Sequence, residues 1–431
     1  MDILSEMADK ATWLSFLEYR KEGFRLTDQE EQELRAFIEK EEYLPILDAI
    51  RSGAPFPRPR RTAISKKSTS KMRIVYVYPP KENLVMKLMT HLLLRRYDHL
   101  FSPNLYSFRA GHGVKDAIFT LAFSPNIDKM WSYKADISNY FNSIPVERLL
   151  PLLQSAIPDE PELFSFLSRL LLDPMVYSDG KLIPDEKGIM AGCPLSTFLA
   201  NLYLAGLDAL FLKNNWLYAR YSDDIIIFAP SQQELQSRVE VIHRTLAEKG
   251  LLINPDKESR TAPGEQWVFL GISYQGGIRD VAPVSVEKIK AKMRRKTRAL
   301  QRWADRKHVS GVNAAKAFIR VFNRKLFENP ISNDLTWARW FFPLINTDRS
   351  LQEIDHYAQQ CIRTLATRTH TKAAYNFRYE QMKELGYVSL VNPTTAFTAA
   401  NPGMICDPPR KMKYCIKLSV NFCCKSRSHG L

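Results

Sequence analysis

Two adjacent carboxylates, Asp223 and Asp224, stand between two apolar runs, and this junction constrains the chain more than any other feature. Leu217, Tyr218, Ala219 and Tyr221 lead into it, and Ile225-Ile226-Ile227-Phe228 leads out. Short apolar runs on either side of a polar tip predict a β-hairpin with its arms in the core and its acidic tip in solvent. Like charges held this close repel, which raises the pKa of one of them unless a cation is present. A divalent metal relieves that repulsion, and carboxylate oxygens are the ligands Mg²⁺ prefers. Ser-Asp-Asp is also ordinary turn chemistry, so the hairpin alone is compatible with a metal-binding tip or with a solvated turn.

A second stretch narrows the choice. In Ser132-Tyr133-Lys134-Ala135-Asp136-Ile137-Ser138-Asn139-Tyr140-Phe141, one Asp ends a short strand-like run. Together with residues 223 and 224 it gives three carboxylates on two strand ends. Palm-type polymerases hold two metal ions on such a set: one activates the primer hydroxyl and the other binds the triphosphate and its leaving group. With the Tyr-x-Asp-Asp box at 221–224 and the Asp-x-x-x-x-Phe box at 136–141, the chain resembles a reverse transcriptase.

The resemblance implies an α+β right-hand polymerase with fingers, a split βαβ palm and a helical thumb. It implies Asp136, Asp223 and Asp224 as catalytic residues. Asp136, Ile137, Asp223 and Asp224 would be ligands of two Mg²⁺, for which Mn²⁺ is an acceptable substitute. Lys71 and Arg73 match the family's basic fingers strand, a cationic clamp on the incoming triphosphate. Phe108-Arg109-Ala110-Gly111 resembles the Phe-Arg-x-Gly box near template and nucleotide, which adds Arg109. Phe141 falls at the steric gate, where an aromatic ring under the sugar excludes a ribose hydroxyl. Gly192 belongs to a counterpart of the Pro-Gln-Gly-x-x-x-Ser box, and Lys257 follows in the next palm box. Met190-Ala191 replaces Pro-Gln, which removes the usual glutamine contact. In this the chain resembles the divergent bacterial enzymes linked to abortive infection and phage defence, within the wider group II intron-like and retron-like lineages, and it resembles retroviral and group II intron enzymes less.

Four segments follow along the chain. Residues 1–60 are expected to be an N-terminal extension of two helices, with a capping box at Thr27 and Glu30, and a Pro- and Arg-rich linker. Residues 61–282 form fingers and palm, and 283–390 a basic helical thumb. Residues 391–431 are a basic tail holding Cys406, Cys415, Cys423 and Cys424. That tail has no Cys-x-x-Cys pair, so structural zinc is not expected.

Charge supports a polyanionic partner: the net charge is +15, and it is concentrated. Between 288 and 325 there are fourteen Lys and Arg against one acid, Asp305. Lys288, Lys292, Arg295, Arg302 and Arg306 share a helical face opposite Ile289, Met293 and Leu300, as for a surface that tracks phosphates. No apolar segment has membrane-spanning length, and the first residues lack a signal-peptide layout, so a cytoplasmic location is expected.

The function expected is an RNA-directed DNA polymerase that copies a dedicated non-coding RNA into DNA from dNTPs, in antiphage defence. Its oligomeric state is left open. A retron-type enzyme, a template-independent nucleotidyltransferase and a non-catalytic, maturase-like RNA-binding protein are the alternatives. Phe141 disfavours ribonucleotides, and three intact carboxylates disfavour an idle scaffold.

Overall fold

A computed structural model describes residues 1–22, 26–65, 72–327 and 336–391. Four helices open the chain where two are predicted: Ile3–Ala8, Lys10–Glu22, Asp28–Glu39 and Leu44–Arg51. Asp9, in extended backbone, separates the first two, and Glu41, at φ 53°, breaks the helix before Leu44. The expected capping box is present: Thr27 accepts from the Glu30 N–H and Glu30 accepts from the Thr27 N–H. These helices are not appended to the body. Trp13, Phe16, Leu17 and Phe37 are buried in one continuous core with the fingers and palm. The Ile3 N–H donates to the Glu160 carboxylate at 2.9 Å, and Arg96 joins Glu6, at 2.5 Å, to that same Glu160.

The described strands are β1 (Arg60–Ser65), β2 (Met72–Val77), β3 (Trp131–Asp136), β4 (Met175–Ser178), β5 (Lys181–Pro184) and β6 (Tyr218–Tyr221). After them come β7 (Asp224–Ala229), β8 (Ser259–Thr261), β9 (Trp267–Phe269), β10 (Ile272–Gln275) and β11 (Ile278–Val281). They form three sheets, ordered β2-β1-β4-β5, β6-β7-β3-β8 and β11-β10-β9. The second is the predicted split βαβ palm. Its central strand β3 pairs antiparallel with β7 and β8, and β6 and β7 make the predicted hairpin. Helix Gln232–Glu248 connects β7 to β8.

The apolar run of β7 is continuous because both of its faces are covered, the condition under which a strand stops alternating. Ile225 and Ile227 face the core shared with the N-terminal helices. Ile226 and Phe228 face a second core, shared with β9–β11 and the thumb. The palm sheet is thus the partition between the two cores, and the acidic turn lies at one end of it.

The segment expected as a linker up to residue 60 runs directly into the fingers. Arg60 already pairs with Val77, Arg58 donates to Asp173 at 2.8 Å, and Arg61 donates to Asp185 at 2.9 Å. A proline-rich basic stretch cannot be a regular helix, but its last residues can enter a strand between β2 and β4 once acids on neighbouring elements neutralise its arginines. The thumb is built from helices Pro283–Lys307, Gly311–Leu326 and Arg349–Thr367. Ile289, Met293 and Leu300 are buried, while Lys288, Lys292, Arg295, Arg302 and Arg306 are all exposed. Among the described residues no helix is long and apolar enough to cross a membrane. The tail cysteines lie outside the described residues.

Candidate active site

Antiparallel pairing of β3 with β7 sets Asp136 directly opposite Asp224. Side chains in such a pair have Cβ atoms about 4.5–5.5 Å apart. The Ile137 N–H donates to the Asp223 carbonyl at 3.0 Å, which ties the second turn carboxylate to the same strand end. The Ile137 side chain has no donor atom, so only its backbone carbonyl would serve a metal. The three carboxylates therefore stand together at one end of the palm sheet.

The turn is not a solvated tip. Tyr221 pairs with Asp224, leaving Ser222 and Asp223 as a two-residue loop. Ser222 is buried, Asp223 and Asp224 are half-buried, and this corrects the expectation of an acidic tip in solvent. Burial, and then the neighbouring Asp136 charge, raises the Asp223 pKa. Burial and the Asp223 charge push Asp224 up to about 6. Lys257 and Arg73 oppose the rise at Asp223, and Lys134 and Lys257 oppose it at Asp224.

Ser222 has φ 59°, a left-handed value that glycine commonly supplies in tight hairpins. Its neighbours hold it there. The Ser222 N–H donates to Ser107 Oγ at 2.9 Å. Ser107 in turn donates to Asn201 Oδ1, and Asn201 Nδ2 donates back to the Ser107 carbonyl. Arg220, fully buried, donates to the Ser222 carbonyl at 3.3 Å. It also forms a two-point ion pair with buried Asp208, at 2.8 and 2.5 Å, and Tyr218 donates to the same carboxylate. Sequence reasoning passed over Arg220 and Asp208. A charged residue inside the apolar run Leu217–Tyr221 was the available signal, because a buried arginine requires a buried acid.

On the solvent side, Lys257 Nζ lies 2.6 Å from Asp136 Oδ1. A short helical turn, Pro255–Lys257, presents it, and two backbone bonds fix that turn to the catalytic strand. The Ser138 N–H donates to the Leu252 carbonyl, and the Asn254 N–H donates to the Asp136 carbonyl, both at 2.8 Å. Lys257 is thus at the carboxylates, not on an unrelated surface.

The rest of the predicted set divides. Arg73 is exposed on β2 and within electrostatic reach of Asp223. Lys71 lies outside the described residues. Phe141 is half-buried, edge-on to Phe108 with ring centroids 6.4 Å apart, and Phe108 also neighbours Tyr221. Arg109 is placed differently from the expectation. Its side chain is 5% exposed, paired twice with Asp98 at 2.7 and 2.9 Å, and bonded to the Ser102 and Leu105 carbonyls. All of its reach is spent on organising the 98–109 loop, so a nucleotide contact from it is not supported.

Gly192, at φ +100°, lets its loop approach β2, where a Cβ would meet the Tyr76 carbonyl oxygen at 3.1 Å. Its role is to seat the loop, and the Tyr76 N–H donates to the Ala191 carbonyl at 2.8 Å beside it. Gly188 is more tightly constrained: at φ +51°, a Cβ would lie 2.6–2.7 Å from the backbone of Phe141 and Asn142. Asn142 completes the clamp by accepting from the Ala191 N–H and donating to the Ile74 carbonyl. Neither Gly188 nor Asn142 was singled out from sequence, since their constraint comes from chain segments distant in sequence.

The donor chemistry fits Mg²⁺. Among the described residues no group of Asp, Glu, His or Cys side chains closes into a ready-made metal cage. Mg²⁺ does not require one: it is commonly held by one or two carboxylates, water and substrate phosphates. Two carboxylates raised by burial and mutual charge, with a lysine ammonium drawn to the third, mark a place built for positive charge.

Residues 64–274 match the family model for reverse transcriptase (RNA-dependent DNA polymerase). An uncharacterized 91 kDa protein in a cob intron of Schizosaccharomyces pombe is 32% identical over 155 residues, which are 36% of this chain and 19% of that protein. Among solved structures, telomerase from Candida albicans in complex with a TWJ fragment of telomeric RNA aligns with TM-score 0.43 and 12% identity, over 83% of this chain and 71% of that one. Apo telomerase from Candida tropicalis, truncated from its C-terminal domain, aligns with TM-score 0.42 and 12% identity, over 52% and 55%. The family match spans both catalytic strands, most of the fingers sheet and the Lys257 turn, so residues 64–274 are similar to a reverse transcriptase domain.

Proposed function

We propose that the chain is an RNA-directed DNA polymerase. The observation that carries the reading is the convergence of Asp136, Asp223 and Asp224 at one end of the palm sheet of a reverse transcriptase domain. Asp136, the Ile137 carbonyl, Asp223 and Asp224 would hold two Mg²⁺. When bound, those ions supply activation of the primer hydroxyl and neutralisation of the leaving group. In this reading Arg73 would hold the triphosphate, Lys257 would protonate the departing pyrophosphate, and the Phe141 ring would select deoxyribose. The buried Arg220–Asp208 pair keeps the carboxylate turn in register through each cycle.

The finer reading is a dedicated non-coding RNA template and a role in bacterial antiphage defence in the cytoplasm. Its support is the Met190-Ala191 departure in the nucleotide loop. The relative in a cob intron favours a second reading, in which the template is an intron-like RNA.

Primer extension by purified protein tests the activity. DNA should form on an RNA template with deoxynucleotides and Mg²⁺, not with ribonucleotides, and not with the Asp223→Asn/Asp224→Asn variant. Product without template would point to a nucleotidyltransferase instead. RNA binding that the double variant retains, with no product from either protein, would point to an RNA-binding scaffold. Sequencing RNA and DNA that copurify from the native host separates a defence-locus RNA, a retron-type RNA–DNA product and an intron.

A further inference from the structure

The short helix Tyr140–Ser143 carries Phe141 directly into Asn142, and these two residues are tied to both the nucleotide loop and the fingers. The Phe141 carbonyl accepts from the Ile189 N–H at 2.9 Å. Gly188 closes against them, since a Cβ there would lie 2.7 Å from the carbonyl oxygens of Phe141 and Asn142. The Asn142 side chain extends the connection. Its Oδ1 accepts from the Ala191 N–H at 2.8 Å, and its Nδ2 donates to the Ile74 carbonyl at 3.3 Å. β2, which holds Ile74, is an edge strand of the fingers sheet. A segment joining that edge in parallel, with Ala191 opposite Val75, would accept from the Tyr76 N–H and donate to the Ile74 carbonyl. Ala191 makes the first of these bonds directly, at 2.8 Å. The second passes through the Asn142 amide, which takes the Ala191 N–H on its oxygen and offers its own N–H to Ile74.

The loop beside this link is held in a strained shape. Met190 has φ 65°, unusual outside glycine, and its neighbours over-determine it: Ser196 Oγ donates to its carbonyl at 2.8 Å, and its N–H donates to the Lys187 carbonyl at 2.9 Å. β2 also carries Arg73, one residue before the linked Ile74 carbonyl. The Asn142 amide therefore joins the strand that bears Arg73 to the residue that follows Phe141. A ring that excludes a ribose hydroxyl works by contact, and a displacement on the order of 1 Å is enough to change a rate about a hundredfold. We infer that Asn142 is a positioning residue for sugar selection: by bridging Ala191 to Ile74, it sets where the Phe141 ring stands relative to the fingers strand. The inference rests on the reading of Phe141 as the ring under the sugar and deepens it, because an aromatic side chain alone does not fix where its face lies.

The test is primer extension by the full chain on an RNA template, with kcat/KM measured for a deoxynucleotide and for the matching ribonucleotide. Phe141→Val is the reference, because removing the ring should admit ribonucleotides. Asn142→Ala should raise KM for the deoxynucleotide and lower the deoxy-to-ribo discrimination ratio by roughly tenfold, as expected when a pair of hydrogen bonds is lost. In the Phe141→Val background it should lower the ratio no further, since a residue that acts through the ring has nothing to act on once the ring is gone. Asn142→Asp keeps an acceptor for Ala191 but turns an oxygen toward the Ile74 carbonyl; it should also lower the ratio, and it decides if Asn142→Ala does not fold. Equal losses with both sugars would mark a structural role only and overturn the inference, as would a further fall in the Phe141→Val background. If Phe141→Val still excludes ribonucleotides, the reading of that ring fails and the inference with it, while deoxynucleotide extension keeps the polymerase reading. No extension by the wild type with either sugar overturns the polymerase reading and the inference together.

Discussion

Two ion pairs flank the catalytic strands, and they are built oppositely. Behind the strands, Arg220 and Asp208 are both completely buried, joined at two points, and further bonded to Tyr218 and the Ser222 carbonyl. In front, Lys257 meets Asp136 at one point, and its side chain is 52% exposed. A buried pair with every partner satisfied cannot open without stranding a charge in a low-dielectric interior. A half-exposed lysine on a flexible stem can leave at little cost. The rear pair fixes where the carboxylates stand, while the front pair is built to let go of one of them.

The sharpest break of this comparison is chemical. Asp136→Asn, or Asp223→Asn with Asp224→Asn, should lower primer extension by about a thousandfold or more, since several kcal/mol of charge stabilisation is lost. Thermal melting should not fall in step. Retained extension would dismiss the metal-site reading.

The rear pair should answer in stability instead. Asp208→Ala leaves Arg220 buried and alone, and denaturant unfolding should show a loss of about 3–5 kcal/mol. Asp208→Leu with Arg220→Met should recover most of it, because apolar replacement of a whole buried pair is often neutral. Failure of that recovery would mean that the bonds to Ser222 and Tyr218, not the charge pairing, hold the turn.

Acidity sharpens the comparison from the front. Asp224 is raised to about 6, above its value of 3.8 before folding. Between those values the unfolded chain has given up its proton while the folded chain keeps it, so this group's contribution falls as pH rises through the window and levels off above it. Asp224→Asn should therefore melt a few degrees higher than the metal-free wild type at pH 8 and match it near pH 4. Mg²⁺ affinity, by calorimetry, should rise with pH through about 6 as proton release becomes unnecessary.

Smaller effects remain. Lys257→Met should tighten Mg²⁺ only a few-fold, by removing a half-exposed competitor for Asp136, while slowing extension. In the thumb, Lys288→Gln and Arg295→Gln should each reduce the salt slope of duplex binding by roughly 0.7–0.9 and leave melting unchanged.

How much of this was legible depends on how local each constraint is. The β6–β7 hairpin, the β3 strand end, the Thr27 cap and the basic face of helix Pro283–Lys307 follow from short-range pattern, and the fold bears them out. Arg109 sat in a box suggestive of nucleotide contact, yet Asp98, eleven residues earlier, claims it. The N-terminal helices were visible by periodicity, but nothing local showed that Tyr19 and Arg20 would face the catalytic box.

The sequence by itself determined the chemistry: three carboxylates at strand ends, an aromatic after the first, and a surplus of positive charge. Periodicity and residue type are properties of neighbours in the chain, so they survive without a fold. Tertiary structure alone decided the environment. It half-buried the acidic turn, set Arg220 on Asp208, brought Lys257 onto Asp136 and closed Gly188 against Phe141. Burial and charge proximity depend on which distant segments meet, and pKa, strain and access to solvent follow from that meeting.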